Sequence, residues 1–258
     1  KVVANKVETI NVEAKDTITG TDVSTNTLKI DGDKAATVNV KGAGNLTLTF
    51  TAESKALTLV DGSTATGNLN ITSVKNDGEN LVIKGGLGAD TLTSAGQNDK
   101  LFGNEGNDVL KAVGTIALVE LSGGAGIDTF DVSGAQAKTA ASVVRITDFE
   151  KGETIKFSAG ADASFLGTKF EMTGAAGLSD YVGQALAAAD AYAETLKGSA
   201  AAKGIAWFQF GTNTYIVQDV DGNGAFTAGQ DIVVELTGLV DLSASSFNDN
   251  GNGTLLFI

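Results

Sequence analysis

The chain contains no cysteine, no proline and no histidine, and only one methionine and one tryptophan among its 258 residues. The lack of cysteine excludes a disulfide framework and a thiol nucleophile, and the joint lack of cysteine and histidine excludes the common zinc sites. Without histidine, the commonest general base and the usual catalytic triad are also missing. These absences predict that the protein is not an enzyme.

Positive charge is scarce as well, with 18 Lys and Arg against 31 Asp and Glu and a net charge of -13. Such acidity argues against nucleic acid as a partner and favours hard cations, whose ligands are carboxylate and carbonyl oxygens. No apolar run reaches the length of a transmembrane segment, so none is expected. Because the chain starts at Lys1 without a signal-peptide pattern, we expect it to be the C-terminal portion of a longer protein.

What the chain does have is glycine, 33 residues in all. In the first half, short runs of alternating apolar and polar residues lie between Gly, Asp, Asn and Ser clusters, and their starts are about 8 to 12 residues apart. These runs are Leu28 to Ile30, Val38 to Val40, Leu46 to Phe50, Leu57 to Val60, Leu69 to Thr72 and Leu81 to Lys84. The spacing suits a β-sandwich, a barrel or a solenoid.

A nonapeptide repeat decides among these folds. Residues 85–93 match the pattern GGxGxDxUx in full, in which U is apolar, and the pattern is typical of calcium-binding β-rolls. A degenerate copy occupies residues 94–102, a near copy residues 103–111, and a fourth copy residues 123–131. The apolar residue of each copy is expected to point inward, and the glycines allow a turn that presents carbonyl oxygens.

Two nonapeptides make one coil of a roll, so turns two repeats apart lie on the same edge. We therefore expect the turn at 85–90 to stack on 103–108, and that turn on 123–128, with Ca²⁺ held by carbonyls and one Asp from each. The candidate ligands are Gly85, Leu87, Gly88, Asp90, Asp99, Gly103, Glu105, Gly106, Asp108, Gly123, Ala125, Gly126 and Asp128. The opposite edge has Asp99 but no aspartate in residues 112–122, so a poor site or none is expected there.

Two acidic segments lie outside the repeats. In the first, Asp219, Asp221 and Asn223 stand at positions 1, 3 and 5 of the first half of an EF-hand loop, followed by glycine at position 6. Position 12 is Gln230, with Asp231 one residue late, so this segment is either a calcium site or an acidic hairpin turn. In the second, Asp148 and Glu153 favour a turn that caps the roll, with or without calcium, over an acid/base pair.

The rest of the chain predicts a small mixed region. Residues 179–196 are expected to form a helix that packs on a sheet, capped by Ser179 and closed by Gly198. Strands are expected at 206–210, 214–217 and 231–236. Trp207 is interpreted as a core residue, with sugar stacking as the alternative.

The fold predicted is therefore dominated by β structure: a right-handed parallel β-solenoid with one helix. Its domains are Thr/Gly-rich coils over 1–84, a calcium β-roll over 85–131 and a C-terminal cap region over 132–258.

The array at 85–131 resembles the RTX repeats of proteins that Gram-negative bacteria export by type I secretion. Residues 146–155 are similar to the DFxxGDxI segment that follows such repeats, and residues 214–247 to the terminal region of many of these chains. The Thr/Ala/Gly bias of residues 59–72 resembles the coils of RTX-bearing surface-layer proteins. This likeness implies a secreted structural protein of the cell surface that assembles into a calcium-dependent lattice with its own copies.

The resemblance also implies an uncleaved export signal for the type I secretion machinery near residues 247–258, and an anchor to cell-surface polysaccharide through a missing N-terminal region. Two alternatives remain open. The chain could be the C-terminal module of an RTX adhesin, or the non-catalytic tail of a secreted hydrolase.

Overall fold

The fold is a β-solenoid of about six turns with one helix. It is described here by a computed structural model that covers residues 1–4, 6–17, 24–52, 54–73, 80–158, 163–174, 177–199, 202–248 and 253–258. The prediction of a chain dominated by parallel β structure with a single helix is confirmed. Within the described residues, no helix is both long and apolar enough to span a bilayer.

The described residues form 21 strands and one α-helix. These are β1 (Val2–Val3), β2 (Thr9–Glu13), β3 (Thr25–Asp31), β4 (Thr37–Gly42), β5 (Asn45–Phe50), β6 (Leu59–Ala65), β7 (Leu69–Thr72), β8 (Val82–Lys84), β9 (Thr91–Ser94), β10 (Lys100–Glu105), β11 (Val109–Ile116), β12 (Leu118–Ala125), β13 (Thr129–Ala137), β14 (Val143–Ile146), β15 (Thr154–Lys156), β16 (Ala163–Phe165), α1 (Leu178–Lys197), β17 (Lys203–Phe210), β18 (Asn213–Gln218), β19 (Ile232–Leu236), β20 (Ser246–Asn248) and β21 (Thr254–Leu256).

The chain divides into two compact units, residues 1–112 with 119–129 and residues 113–118 with 130–258. In the first unit, successive strands alternate between two parallel sheets. One sheet has the order β1-β3-β5-β7-β9-β11, and the other β2-β4-β6-β8-β10-β12. This alternation is the two-sided coil that a nine-residue strand-and-turn repeat requires.

Apolar residues form continuous ladders inside the first unit. In one sheet Leu48, Ile71, Leu92 and Leu110 lie in register on successive strands, and all four are fully buried. Between them, polar residues such as the threonines of β5 point outward, because side chains alternate along a strand. The inward position of the repeats' apolar residues, which include Leu101 and Phe130, is therefore as expected.

In the second unit, α1 packs against β17 of the sheet β16-β17-β18-β19-β14. Its buried residues Val182, Ala185, Leu186, Ala189 and Ala193 form the apolar face, which joins a core with Phe208 and Val217. A separate group has the order β13-β15-β21-β20. The helix thus packs on a sheet, as its apolar stripe predicts.

Two local predictions, one in each unit, need correction, and a third is confirmed. The N-cap of α1 is Gly177 rather than Ser179, because Asp180 accepts a hydrogen bond from the Gly177 N–H and fixes the first turn there. The sixth strand begins at Leu59 rather than Leu57. Gly198 does close the helix, in a left-handed conformation with φ 65°.

Trp207 cannot stack on a sugar, since its side chain is only 2% exposed. Phe208 faces α1, and the Trp207 indole N–H donates to the carbonyl of Gly167 at 3.0 Å on the other face of the strand. Both faces of β17 are therefore covered.

Candidate calcium sites

Three aspartates of the repeats stack in a column on one edge of the first unit. The carboxylate Oδ1 of Asp108 accepts the backbone N–H of Asp90 at 2.7 Å, and Oδ1 of Asp128 accepts that of Asp108 at 2.8 Å. The turns are held in register by backbone bonds as well, from Gly85 N–H to Phe102 O and from Gly106 N–H to Ala125 O. The structure therefore places the turns at 85–90, 103–108 and 123–128 one above another, as the sequence predicts.

Oxygen atoms of successive turns converge at Gly85 and Gly103, the first glycines of two repeats. A methyl group at Gly85 would collide with Oδ2 of Asp90 and the carbonyl oxygen of Gly103. At Gly103 it would collide with Oδ2 of Asp108 and the carbonyl oxygen of Gly123. Each glycine thus keeps open a space into which a carboxylate of one coil and a carbonyl of the next coil both point.

These acceptor oxygens fit a hard cation. Asp108 is 1% exposed, and its Oδ2 has no hydrogen-bond partner among the described residues. A buried carboxylate oxygen without a donor lowers the stability of the folded state, and a carbonyl oxygen near the same place lowers it further. Ca²⁺ takes six to eight such oxygens and would remove both penalties. The donor set is carboxylate and carbonyl, which suits Ca²⁺ and not a thiolate- or imidazole-binding metal.

The electrostatics of the column follow from burial. Removal from water raises the pKa of Asp90 to about 6 and that of Asp108 to about 7. For Asp108, the neighbouring charges of Asp90 and Asp128 raise the pKa further. The column is therefore poorly suited to hold three negative charges unless a cation neutralises them.

Asp99, on the opposite edge, differs from Asp108, because both of its oxygens have donors. Its Oδ1 accepts the N–H of Leu81 at 3.2 Å, and its Oδ2 accepts the Ser94 hydroxyl at 2.7 Å and the Gly96 N–H at 3.1 Å. Burial raises the pKa of Asp99, and these hydrogen bonds oppose the rise. We interpret Asp99 as a turn-stabilising residue, consistent with the expectation of a poor site or none on this edge.

Two asparagines that the sequence analysis did not single out also belong to the stacked turns. Asn104 replaces a glycine of the repeat, takes a left-handed φ of 75°, and donates from its side-chain amide to Gly85 O at 2.7 Å. Asn107 accepts the N–H of Ile127 at 2.9 Å. The sequence signal that could have identified Asn104 is its place at a glycine position of the repeat, because asparagine tolerates a positive φ.

The remaining candidate residues of the repeats lie in the same stack. Glu105 donates its backbone N–H to Gly86 O at 3.1 Å, and Leu87 donates to Ala65 O at 3.0 Å. Gly88, Gly126 and Ala125 lie in the same turns, where Gly106 lies against Gly88 O and Gly126 against Gly106 O. Their role as carbonyl ligands stays a prediction.

The loop between β18 and β19 brings three carboxylates together. Oxygens of Asp219, Asp221 and Asp231 all lie within 4.8 Å of one another, and this is the one such group of acidic side chains among the described residues. Asp219 and Asp231 are fully buried. The third carboxylate of the group thus comes from Asp231 and not from Gln230, which stands at position 12. Asp231 lies one residue further along the loop, directly before β19.

The same loop is shaped by its first aspartate. Asp219 accepts backbone N–H groups of Gly222 at 2.7 Å and Gly224 at 2.6 Å, while Asp231 accepts those of Val220 and Thr227. Burial raises the pKa of Asp231 to about 6, and the charges of Asp219 and Asp221 add to the rise. Asn223 donates to Asp221 at 2.9 Å. Calcium binding at this loop stays a prediction.

Asp148 belongs to neither set and lies in the half-buried turn between β14 and β15. Its neighbour Glu153 is 2% exposed and accepts the backbone N–H of Glu150 at 2.7 Å. Glu153 therefore stabilises this turn, and Asp148 is not brought together with two other acidic side chains of the described residues.

Comparison with known families agrees with the stacked turns. Residues 82–110 match the family model of the RTX calcium-binding nonapeptide repeat, in four copies. The copy at 123–131 lies outside the matched range, although the structure stacks Asp128 on Asp108. No curated protein shows significant similarity to the chain.

Proposed function

We propose that this chain is the calcium-dependent structural portion of a secreted surface-layer protein, and that it has no catalytic role. The chain carries RTX calcium-binding repeats, which fit a calcium-binding secreted protein. The observation that supports the calcium step most directly is the buried column of Asp90, Asp108 and Asp128, in which Oδ2 of Asp108 has no donor among the described residues.

In this proposal, Asp90, Asp108 and Asp128, with the carbonyls of Gly103 and Gly123, hold Ca²⁺ between stacked turns. The ion supplies positive charge that neutralises the column. With a Kd of about 0.1 mM, calcium at about 1 mM stabilises the folded form by roughly 1.4 kcal/mol per site, and at cytosolic concentrations by almost nothing. Folding of these coils would then be deferred until the chain has left the cell.

Assembly into a lattice is supported by the Thr/Ala/Gly-rich coils of residues 59–72, which resemble the coils of RTX-bearing surface-layer proteins. We propose contacts between copies as the main partnership, with type I secretion machinery and cell-surface polysaccharide as further partners.

The alternative is the C-terminal module of a calcium-dependent adhesin or secreted hydrolase. The same repeats would serve there as a calcium-dependent fold without a lattice. Electron microscopy and light scattering of the purified chain distinguish the two, first in EGTA and then in millimolar calcium. Ordered sheets that form only with calcium support the surface-layer proposal, whereas compaction to a monomer favours the alternative. No response to calcium would contradict both.

A further inference from the structure

The stacked edge continues below the repeats, into coils that have no acidic residue in their turns. A methyl group at Gly86 would collide with Ala65 O, and one at Gly67 would approach Gly44 O closely. The turns at 42–46 and 62–69 thus belong to the same column as the turn at 85–90. Neither of these lower turns contains Asp or Glu.

In the lower turns, leucine occupies the place of the repeat's aspartate. The backbone N–H of Leu69 donates to Oδ1 of Asp90 at 2.7 Å, just as that of Asp90 donates to Asp108. One coil further down, Leu46 lies in register with Leu69. Both leucines are buried, with 3% and 1% exposure. The column therefore changes from apolar to acidic between Leu69 and Asp90.

The leucine also fills the space that the carboxylate occupies higher up. A methyl group at Gly62 would collide with Cδ1 of Leu69 and lie 2.7 Å from Lys84 O. At Gly85, the corresponding collisions are with Asp90 Oδ2 and Gly103 O. At Gly62, the oxygen of Lys84 therefore has a methyl group of Leu69 beside it. At Gly85, the oxygen of Gly103 has a carboxylate oxygen of Asp90 in the same place. Because the lower position brings no two oxygens together, it needs no cation.

Neutral amides connect the lower turns. Oδ1 of Asn45 accepts the N–H of Asn68 at 2.8 Å, and Oδ1 of Asn68 accepts the N–H of Ala89 at 3.1 Å. Asn26 donates to Asn45 O at 3.1 Å. These bonds stabilise the stack without placing charge in it, and the interior ladder from Leu48 to Ile71 is fully buried.

We propose that the coils from β3 to β7 fold without calcium and form a template on which the acidic coils from β9 to β12 fold when calcium binds. This inference rests on the proposed calcium function. It adds that the boundary between calcium-independent and calcium-dependent coils lies between Leu69 and Asp90, and that folding proceeds from the first to the second. Calcium then controls the length of the ordered solenoid rather than its existence. The physical reason is that burial of the lower column removes apolar surface from water, whereas burial of the upper column isolates charge.

Hydrogen exchange of the full chain, followed by mass spectrometry in EGTA and in millimolar calcium, tests the proposal. In EGTA, amides of β3, β5 and β7 are expected to exchange slowly and those of β9 to β12 quickly. Calcium is expected to slow β9 to β12 by about tenfold or more and to change β3 to β7 little. Fast exchange of both segments in EGTA, with both slowed by calcium, would overturn the template while leaving the calcium function standing.

Slow exchange of both segments in EGTA, with no calcium response, would overturn the template and the proposed function together. A matched pair of variants tests the leucine itself. Leu69→Asp and Leu69→Asn have similar size and polarity, but only the first adds charge beside Asp90. In EGTA, Leu69→Asp is expected to raise exchange in β5 and β7 about tenfold over Leu69→Asn. Equal effects of the two variants would refute the charge boundary.

Discussion

Replacement of Asp108 by asparagine should have opposite effects on stability with and without calcium. Asp108 stands between Asp90 and Asp128, so it serves both proposed stacked sites. Asparagine keeps the oxygen that accepts the Asp90 N–H, and its amide replaces Oδ2, which lies with Gly123 O around the space at Gly103. The variant therefore removes a buried negative charge and one charged calcium ligand.

The magnitudes follow from the burial of this carboxylate. The pKa of Asp108 is about 7, against an ordinary 3.8. At neutral pH this rise means that the buried carboxylate destabilises the folded state by at most about 4 kcal/mol. Solvent relaxation reduces this figure, so we expect the asparagine variant to gain about 1–2 kcal/mol of stability in EGTA. With calcium, loss of one partner of a buried charge pair costs about 2 kcal/mol or more, which is about a 30-fold weaker Kd.

Urea unfolding in EGTA and a calcium titration measure the two effects. The matched control is Asp99→Asn, because Asp99 is equally buried and its Oδ2 accepts two hydrogen bonds that an amide cannot accept. We expect this control to lose about 1–2 kcal/mol of stability in EGTA and in calcium alike, with a smaller change in affinity. Equal losses of calcium affinity in the two variants would refute the assignment of the metal to one edge.

Three further changes test the same reasoning. Because burial raises the pKa of Asp90 and Asp108 in the folded state, their contribution to stability in EGTA is full below about pH 4 and is lost as the pH rises through about 6 to 7, so thermal stability should fall over that range. In millimolar calcium, thermal stability should instead rise with pH over the same range. Parallel curves of thermal stability against pH in EGTA and in calcium would be inconsistent with a metal in the column. Gly103→Ala should abolish calcium-induced compaction, as measured by light scattering, because its methyl group enters the space between Asp108 and Gly123; an unchanged response would place the ion elsewhere. Truncation of residues 247–258 should abolish export while the coils of the first unit still fold with calcium, although the second unit loses β21 and the buried Leu255. Normal export would contradict the signal assignment.

The sequence alone determined the column of aspartates. A nine-residue period with glycines at fixed positions fixes both the coil and the edge, because two repeats make one turn of the solenoid. Asp90 and Asp108 are 18 residues apart, and the structure stacks them. The alternation of apolar and polar residues in the first half likewise predicted six strands that the structure contains, since only one side of each strand faces the interior.

Several features of the sites depended on the tertiary structure. Coil lengths vary, with 23 residues from Leu46 to Leu69, 21 from Leu69 to Asp90 and 20 from Asp108 to Asp128. No constant period therefore aligns Leu69 with the aspartates, and only the backbone hydrogen bonds reveal that it occupies their position.

The two buried aspartates Asp99 and Asp108 also differ in a way that the sequence indicates only in part. Both stand at the same position of a nonapeptide, and the sequence distinguished them only by the absence of a second aspartate on the Asp99 edge. The structure shows that donors from Ser94, Gly96 and Leu81 surround Asp99, while Oδ2 of Asp108 lacks one in the part of the chain that the structure describes. Local sequence supplies the Ser94 and Gly96 donors of Asp99, whereas its Leu81 donor and the stacking of Asp108 between Asp90 and Asp128 come from other coils, which meet only when the chain folds.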